Sequence, residues 1–314
     1  MVSRWVWAGV CLLLCSGCWQ AETQVTATAV TVTPATPFQV HLPISVASQT
    51  ATPIPTPQAT PTATRVSCSE PGEVQQLQLT SRLAGTLNYR LYTPPCYGAD
   101  GYVYPVLYLL PGNIHTDAIW DELGIDEAAE TAVLQNRIPP FLIVMPDGGW
   151  LANNTSGGPG SYEDMILSEL VPHIEATTCA WVDKAGRAIG GLSRGGYWAL
   201  EIAFLHPEIF VSVGGHSAAL LDTYAGPTIN PQDTGPRQNP GSLRIYLDIG
   251  VDDYVRYPLL QLHEEMAQAE IPHEWVLNSG THEEAYWQAH LDDYLTWYAQ
   301  AWSTTRSAYP VCTK

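Results

Sequence analysis

The stretch Ala188-Ile-Gly-Gly191-Leu-Ser193-Arg-Gly195-Gly-Tyr-Trp-Ala-Leu200 decides how this chain is read. Its first residues, apolar or glycine, have the pattern of a buried strand. Its last residues carry apolar groups at helical spacing. Between them lies Gly191-x-Ser193-x-Gly195, a spacing that suits a tight strand-to-helix turn with a strained serine at its tip and the hydroxyl exposed. Glycine is required at both flanks, where a Cβ would strike the adjoining backbone. A helix starting after Ser193 also turns backbone N–H groups toward the site, which favours negative charge that develops there.

Outward from this turn, short apolar runs alternate with helical patterns. The runs are Val103–Leu110, Phe141–Met145, Ala188–Gly191, Phe210–Gly214, Leu243–Ile249 and Glu274–Leu277. Helical spacing covers Tyr162–Ala176, Gly195–His206, Val255–Ala269 and Glu283–Trp302. Strands apolar on both faces and separated by helices predict a mostly parallel sheet covered on two sides. Two alternating stretches, Val74–Leu83 and Leu87–Tyr92, predict an antiparallel hairpin at the start, for about eight strands in all.

A serine hydroxyl is a weak nucleophile near neutral pH and needs a base to take its proton. Strands in such sheets deliver their ligands at the carboxyl end, and two later strands carry suitable groups there. Asp252 and Asp253 follow Leu243–Ile249, and His282 follows Glu274–Leu277 in Gly280-Thr-His. The order serine, acid, histidine suits this turn type. Among nine histidines, His282 is the expected base. His115 and His216 are placed where they could line a pocket, His206 reads as a helix cap, and His173, His263 and His290 as surface groups. Asp248 lies inside its strand and reads as structural. Two N–H donors are needed to hold an oxyanion. The expected ones are the amides of Arg194, directly after the serine, and Asn113, in the turn after Tyr108-Leu-Leu-Pro-Gly112. Trp120, Trp150, Trp198 and Trp287 fall in or near loops or helices around the site, as substrate-stacking or packing groups.

Six segments together resemble the esterase D family of α/β hydrolases, which holds S-formylglutathione hydrolases, feruloyl and enterochelin esterases and the antigen 85 mycolyltransferases. They are Tyr104–Gly112, Ile143–Gly148, Glu169–His173, Arg187–Gly196, Gly250–Asp253 and Gly280–Trp287. The resemblance implies an α/β-hydrolase fold, a Ser193–Asp253–His282 triad with Asp253 preferred over Asp252, and hydrolysis of a carboxylic ester through an acyl-serine. It equally admits acyl transfer by the same triad; a catalytically silent surface-binding protein is the alternative outside enzymes. Pro111 and Arg194 depart from the residues frequent in the family. Because the hole is built from backbone amides, neither departure bears on catalysis, but Arg194 leaves the lining of the pocket open.

Composition narrows the partners. Thirty-one acidic residues stand against 13 basic ones, a net charge of −18, and Lys184 and Lys314 are the two lysines. That balance disfavours nucleic acid, whose phosphates are met by Lys and Arg, and anionic lipid surfaces. The expected substrate is a small-molecule or polysaccharide-linked ester, without cofactor or metal. Met1-Val-Ser-Arg4, an apolar run Trp5–Leu14 and Cys15-Ser-Gly-Cys18 read as an export signal over residues 1–18. Lipidation of Cys18, ordinary cleavage nearby and an uncleaved anchor are all open. Residues 19–65, rich in Thr and Pro, predict an extended tether, and residues 66–314 a single catalytic domain at the cell surface or secreted. Membrane contact is expected only through the lipid anchor. Beyond the leader, Cys68, Cys96, Cys179 and Cys312 predict two disulfides in an oxidising compartment. Cys68–Cys96 would flank the hairpin and Cys179–Cys312 would pin the C-terminus.

Overall fold

The computed structural model describes residues 68–221, 224–237 and 240–314. Cys18 and the segments 1–18 and 19–65 lie outside them. The described residues form one compact unit. At its centre is an eight-stranded sheet in the order β1-β2-β4-β3-β5-β6-β7-β8. The strands are β1 Glu73–Ser81, β2 Gly85–Thr93, β3 Val106–Leu110, β4 Leu142–Pro146, β5 Arg187–Leu192, β6 Ser212–His216, β7 Arg244–Gly250 and β8 Glu274–Asn278. β1 and β2 form the antiparallel hairpin, and β2 joins β4 antiparallel. Every pairing from β4 to β8 is parallel. This is the α/β-hydrolase architecture expected from the sequence, each strand displaced by at most three residues from its predicted start.

The near-continuous apolar runs are explained by the two cores they serve. Along β3, Val106, Tyr108 and Leu110 enter one core while Leu107 and Leu109 enter the other. β4 divides in the same way, Leu142 and Val144 to one side, Ile143 and Met145 to the other. A strand alternates its side chains between faces, so a strand covered on both faces must be apolar throughout. Helix Arg194–Leu205 is buried all round its circumference and packs against β5 and β6.

Two helices differ from their predicted form. Tyr162–Ala176 is helical to Thr177 but is interrupted by a π turn over Ile166–Leu170. Pro172 stands two residues beyond its end, and its missing N–H removes one donor from the regular ladder. Glu283–Trp302 is broken at His290 into Glu284–Ala289 and Leu291–Ala299. In an unbroken helix residues 286 and 294 would lie about 12 Å apart along the axis; here the hydroxyls of Tyr286 and Tyr294 both donate to Asp248 Oδ2 at 2.8 Å. Helix Ile125–Leu134 was not foreseen, because it starts after the left-handed Gly124 rather than after a polar capping residue.

The disulfides are Cys68–Cys96 and Cys179–Cys312. The first links the N-terminal approach to β1 with the turn after β2, and the second ties the C-terminus to the segment ahead of β5. Among the described residues, no helix is long and apolar enough to cross a membrane.

Candidate active site

Ser193 occupies the turn between β5 and helix Arg194–Leu205 with φ 55° and ψ −118°, a left-handed conformation that costs a non-glycine residue energy. The surroundings hold it there. Its N–H donates to the His216 carbonyl at 3.0 Å and its carbonyl accepts from Ala219 N at 3.0 Å. The flanking glycines are sterically demanded: a Cβ on Gly191 would lie 2.3 Å from the Gly195 carbonyl, and one on Gly195 2.2 Å from Leu110 O.

His282 and Asp253 come from the loops after β8 and β7, and backbone contacts lock these loops together. Val251 N donates to Asn278 O at 2.7 Å and Asp252 N to Gly280 O at 3.0 Å. Gly250 lies so close to Gly280 that a Cβ would sit 2.3 Å from its carbonyl oxygen. The register between β7 and β8 therefore carries the imidazole to the carboxylate. Asp253 Oδ2 accepts from His282 Nδ1 at 2.8 Å, while Oδ1 accepts from Val255 N at 2.8 Å. With the Nδ1 proton committed to a carboxylate, Nε2 is free to accept, and Ser193 Oγ stands 2.8 Å from it. Asp252 is exposed. Trp287 meets the His282 ring edge-on at 5.1 Å and Tyr254 lies tilted over it at 4.6 Å.

A cleft of about 490 Å³ opens beside Ser193. Asn113 borders it, its carbonyl held by Asn153 Nδ2 at 2.8 Å, which fixes the adjoining peptides. The Arg194 side chain, in contrast, is 2 % exposed and leaves the site. Its guanidinium donates to the carbonyls of Ala152 (3.0 Å) and Thr155 (3.1 Å) and lies 3.6 Å over the Tyr224 ring. The departure from the family pattern at this position thus supports the backbone at residues 152 and 155 and does not line the pocket.

The two other histidines considered for the pocket separate. His115 lines the cleft, with Nε2 3.6 Å from Glu284 Oε1; burial holds its imidazole below the ordinary value against the opposing pull of Glu284. His216 does not line the cleft. It is fully buried, with Nδ1 2.7 Å from Asp248 Oδ1 and Nε2 3.1 Å from Tyr298 Oη. His206 caps its helix and pairs with Glu163 at 2.6 Å, which raises its pKa. The three read as surface groups are half-buried and partnered: His173 with Tyr89, His263 with His273, His290 with Asp293.

Of the four tryptophans, only Trp287 borders the cleft. Trp120 and Trp198 are core residues whose indoles donate to Leu110 O and Ala152 O, and exposed Trp150 borders a separate hollow beside the β1–β2 hairpin. The sequence reading missed Ile114, Tyr254, Glu283 and Glu284, all of which line the cleft. Their signal was proximity in the chain: Ile114, Tyr254 and Glu283 stand next to a residue already singled out, and Glu284 two positions beyond His282.

Residues 80–298 match the family model Esterase, described as "Putative esterase". An esterase of Mycobacterium tuberculosis is 35% identical over 146 residues, 44% of this chain and 30% of the relative. An endo-1,4-beta-xylanase/feruloyl esterase of Xylanibacter ruminicola is 30% identical over 151 residues, 44% of this chain and 20% of the relative. The chain thus spans less than a third of the length of these curated relatives. Among solved structures, a ferulic acid esterase superposes with a TM-score of 0.67 at 24% identity, over 74% of this chain and 100% of that one. An S-formylglutathione hydrolase of Staphylococcus aureus gives 0.61 at 18%, over 73% and 99%. At these identities the likeness is one of fold.

Proposed function

The chain belongs to the esterase family, and from that premise we propose that it hydrolyses a carboxylic ester through an acyl-serine intermediate, with Ser193 as nucleophile, His282 as base and Asp253 as the residue that orients it. One observation carries the reading: a continuous relay in which Ser193 Oγ, His282 and Asp253 are joined by two contacts of 2.8 Å. Ser193 Oγ attacks the ester carbonyl carbon while its proton passes to His282 Nε2. The carbonyl oxygen becomes an oxyanion held by the amides of Asn113 and Arg194. Collapse breaks the bond to the alcohol oxygen, which takes the proton from Nε2 and departs. Water then gives a proton to Nε2 and attacks the acyl carbon, releasing the acid and restoring Ser193.

The acyl group belongs to a small-molecule or polysaccharide-linked ester. Ferulic acid esterases among the fold neighbours, one in complex with ferulic acid, support an aromatic acid as a first candidate. The proposal includes export, with residues 1–18 as a lipoprotein-type signal acylated at Cys18, 19–65 as a spacer and 66–314 as the catalytic domain. Two disulfides support an oxidising compartment. The purified protein is expected to release p-nitrophenol from p-nitrophenyl acetate and Ser193→Ala to lose that activity. Undiminished turnover by the variant would end the assignment.

A further inference from the structure

The cleft beside Ser193 is unevenly walled. In the ester-hydrolase reading, on which this inference rests, the carbonyl oxygen faces the Asn113 and Arg194 amides. The leaving oxygen must come within hydrogen-bond reach of His282 Nε2, because that nitrogen returns the proton. The alcohol part of the substrate therefore lies on the His282 side of the cleft, whose wall includes Tyr254, Glu283, Glu284 and Trp287.

These residues have a common electrostatic sense. Glu283 and Glu284 are both exposed, and neither Lys nor Arg is among the residues that line the cleft. The Arg194 guanidinium is turned inward onto carbonyls and Tyr224. Arg256 lies over the Tyr257 ring and donates to its hydroxyl at 3.1 Å. His115, held below its ordinary pKa by burial, adds no full positive charge near neutral pH. Tyr254 is 75% exposed, an unusual position for an aromatic ring, and its ring stands 4.6 Å from that of His282. An open aromatic face that shares a cleft with two carboxylates is the chemistry that recognises alkylammonium groups. The net charge of −18 draws cations to the mouth of such a cleft and repels anions.

We propose that the alcohol side of the cleft is built for a positively charged, ammonium-bearing alcohol, with Tyr254 supplying the ring face and Glu283 and Glu284 the counter-charge. An anionic alcohol part is rejected by the same two carboxylates.

Three thioacetates of similar size test this on the purified full chain: acetylthiocholine, its uncharged isostere S-(3,3-dimethylbutyl) thioacetate, and the anion S-acetyl-3-mercaptopropionate, each followed by thiol release. kcat/KM is expected to be about tenfold higher for the cation than for the isostere at low salt, with the anion lowest. Raising salt to about 0.5 M should compress the order, because exposed charges are screened. The cation-to-isostere ratio should fall toward one in the Glu283→Gln/Glu284→Gln double variant, and should fall separately in Tyr254→Leu. A cation turned over no faster than its isostere, or a ratio that both variants leave intact, overturns the inference, as does failure on all three thioesters while p-nitrophenyl acetate is hydrolysed. In each of those cases the ester-hydrolase reading stands. Absence of p-nitrophenyl acetate hydrolysis by the parent protein removes both.

Discussion

Two histidine–aspartate pairs lie at the carboxyl end of the sheet, and their chemistry diverges. His282 Nδ1 is 2.8 Å from Asp253, and His216 Nδ1 is 2.7 Å from Asp248. The difference lies at the other ring nitrogen. His282 Nε2 meets the hydroxyl of Ser193 at the floor of an open cleft. His216 Nε2 meets Tyr298 in the interior, and Tyr286 and Tyr294 complete the Asp248 carboxylate. A carboxylate-bound imidazole is therefore not in itself a catalytic device. One pair reaches a serine hydroxyl at an open cleft, where the proposed reaction would use it; the other is a buried, satisfied polar knot whose backbone, through the His216 carbonyl, holds the Ser193 amide.

Exchanging amides for the two carboxylates should separate the pairs most widely. Asp253→Asn is expected to lower kcat by about 10³–10⁴ with little change in unfolding midpoint, since it upsets the His282 tautomer without emptying space. Asp248→Asn should do the converse, losing stability and less than tenfold in kcat. Steady-state kinetics beside urea unfolding decide it, and equal kinetic losses would break the comparison. His216→Ala comes next. It leaves Asp248 buried with only phenols as partners and opens a cavity, for an expected loss of about 3–5 kcal/mol, read as a fall of about 10 °C in Tm.

Glu201 shows what a buried carboxyl does without a histidine. It is fully buried, and neither oxygen has a hydrogen-bond partner among the described residues. Burial, with the charge of Glu163 adding to it, pushes its pKa from 4.5 up to about 8. The folded state thus holds a proton that the unfolded state releases, so stability falls as pH rises from about 4.5 to about 8 and levels off beyond. Glu201→Gln should remove that slope and be the more stable form at pH 9 by a few kcal/mol. Urea midpoints across the range measure it, and parallel profiles would contradict it. The smallest effect is reserved for Tyr294→Phe, about 1 kcal/mol for one donor lost to Asp248, with kcat unchanged.

Much of this was legible because it is backbone logic. Gly191 and Gly195 announce a turn into which only glycine fits, and runs such as Val106–Leu110 announce strands with two buried faces. The positions of His282 and of the neighbours Asp252 and Asp253 follow from lying just beyond strand ends, while the preference for Asp253 comes with the family resemblance. What escaped depends on where a side chain turns. Arg194, beside Ser193, swings inward to the Ala152 and Thr155 carbonyls. His216, at the same sheet edge as the site, points into the core because β6 alternates its faces. The break at His290 serves a carboxylate on a different strand, which the periodicity of the helix could not register. Tyr254 and Glu284 became visible as cleft walls only once the loops after β7 and β8 were joined through Gly250 and Gly280.

The central claim is that Ser193 is the activated nucleophile, and covalent trapping tests it most directly. After treatment with a fluorophosphonate, peptide mass mapping should find one phosphonyl adduct, on the peptide that carries Ser193. The adduct should be absent from Ser193→Ala and strongly slowed in His282→Ala. Modification at another residue, or a folded protein that takes up no reagent, would contradict the account.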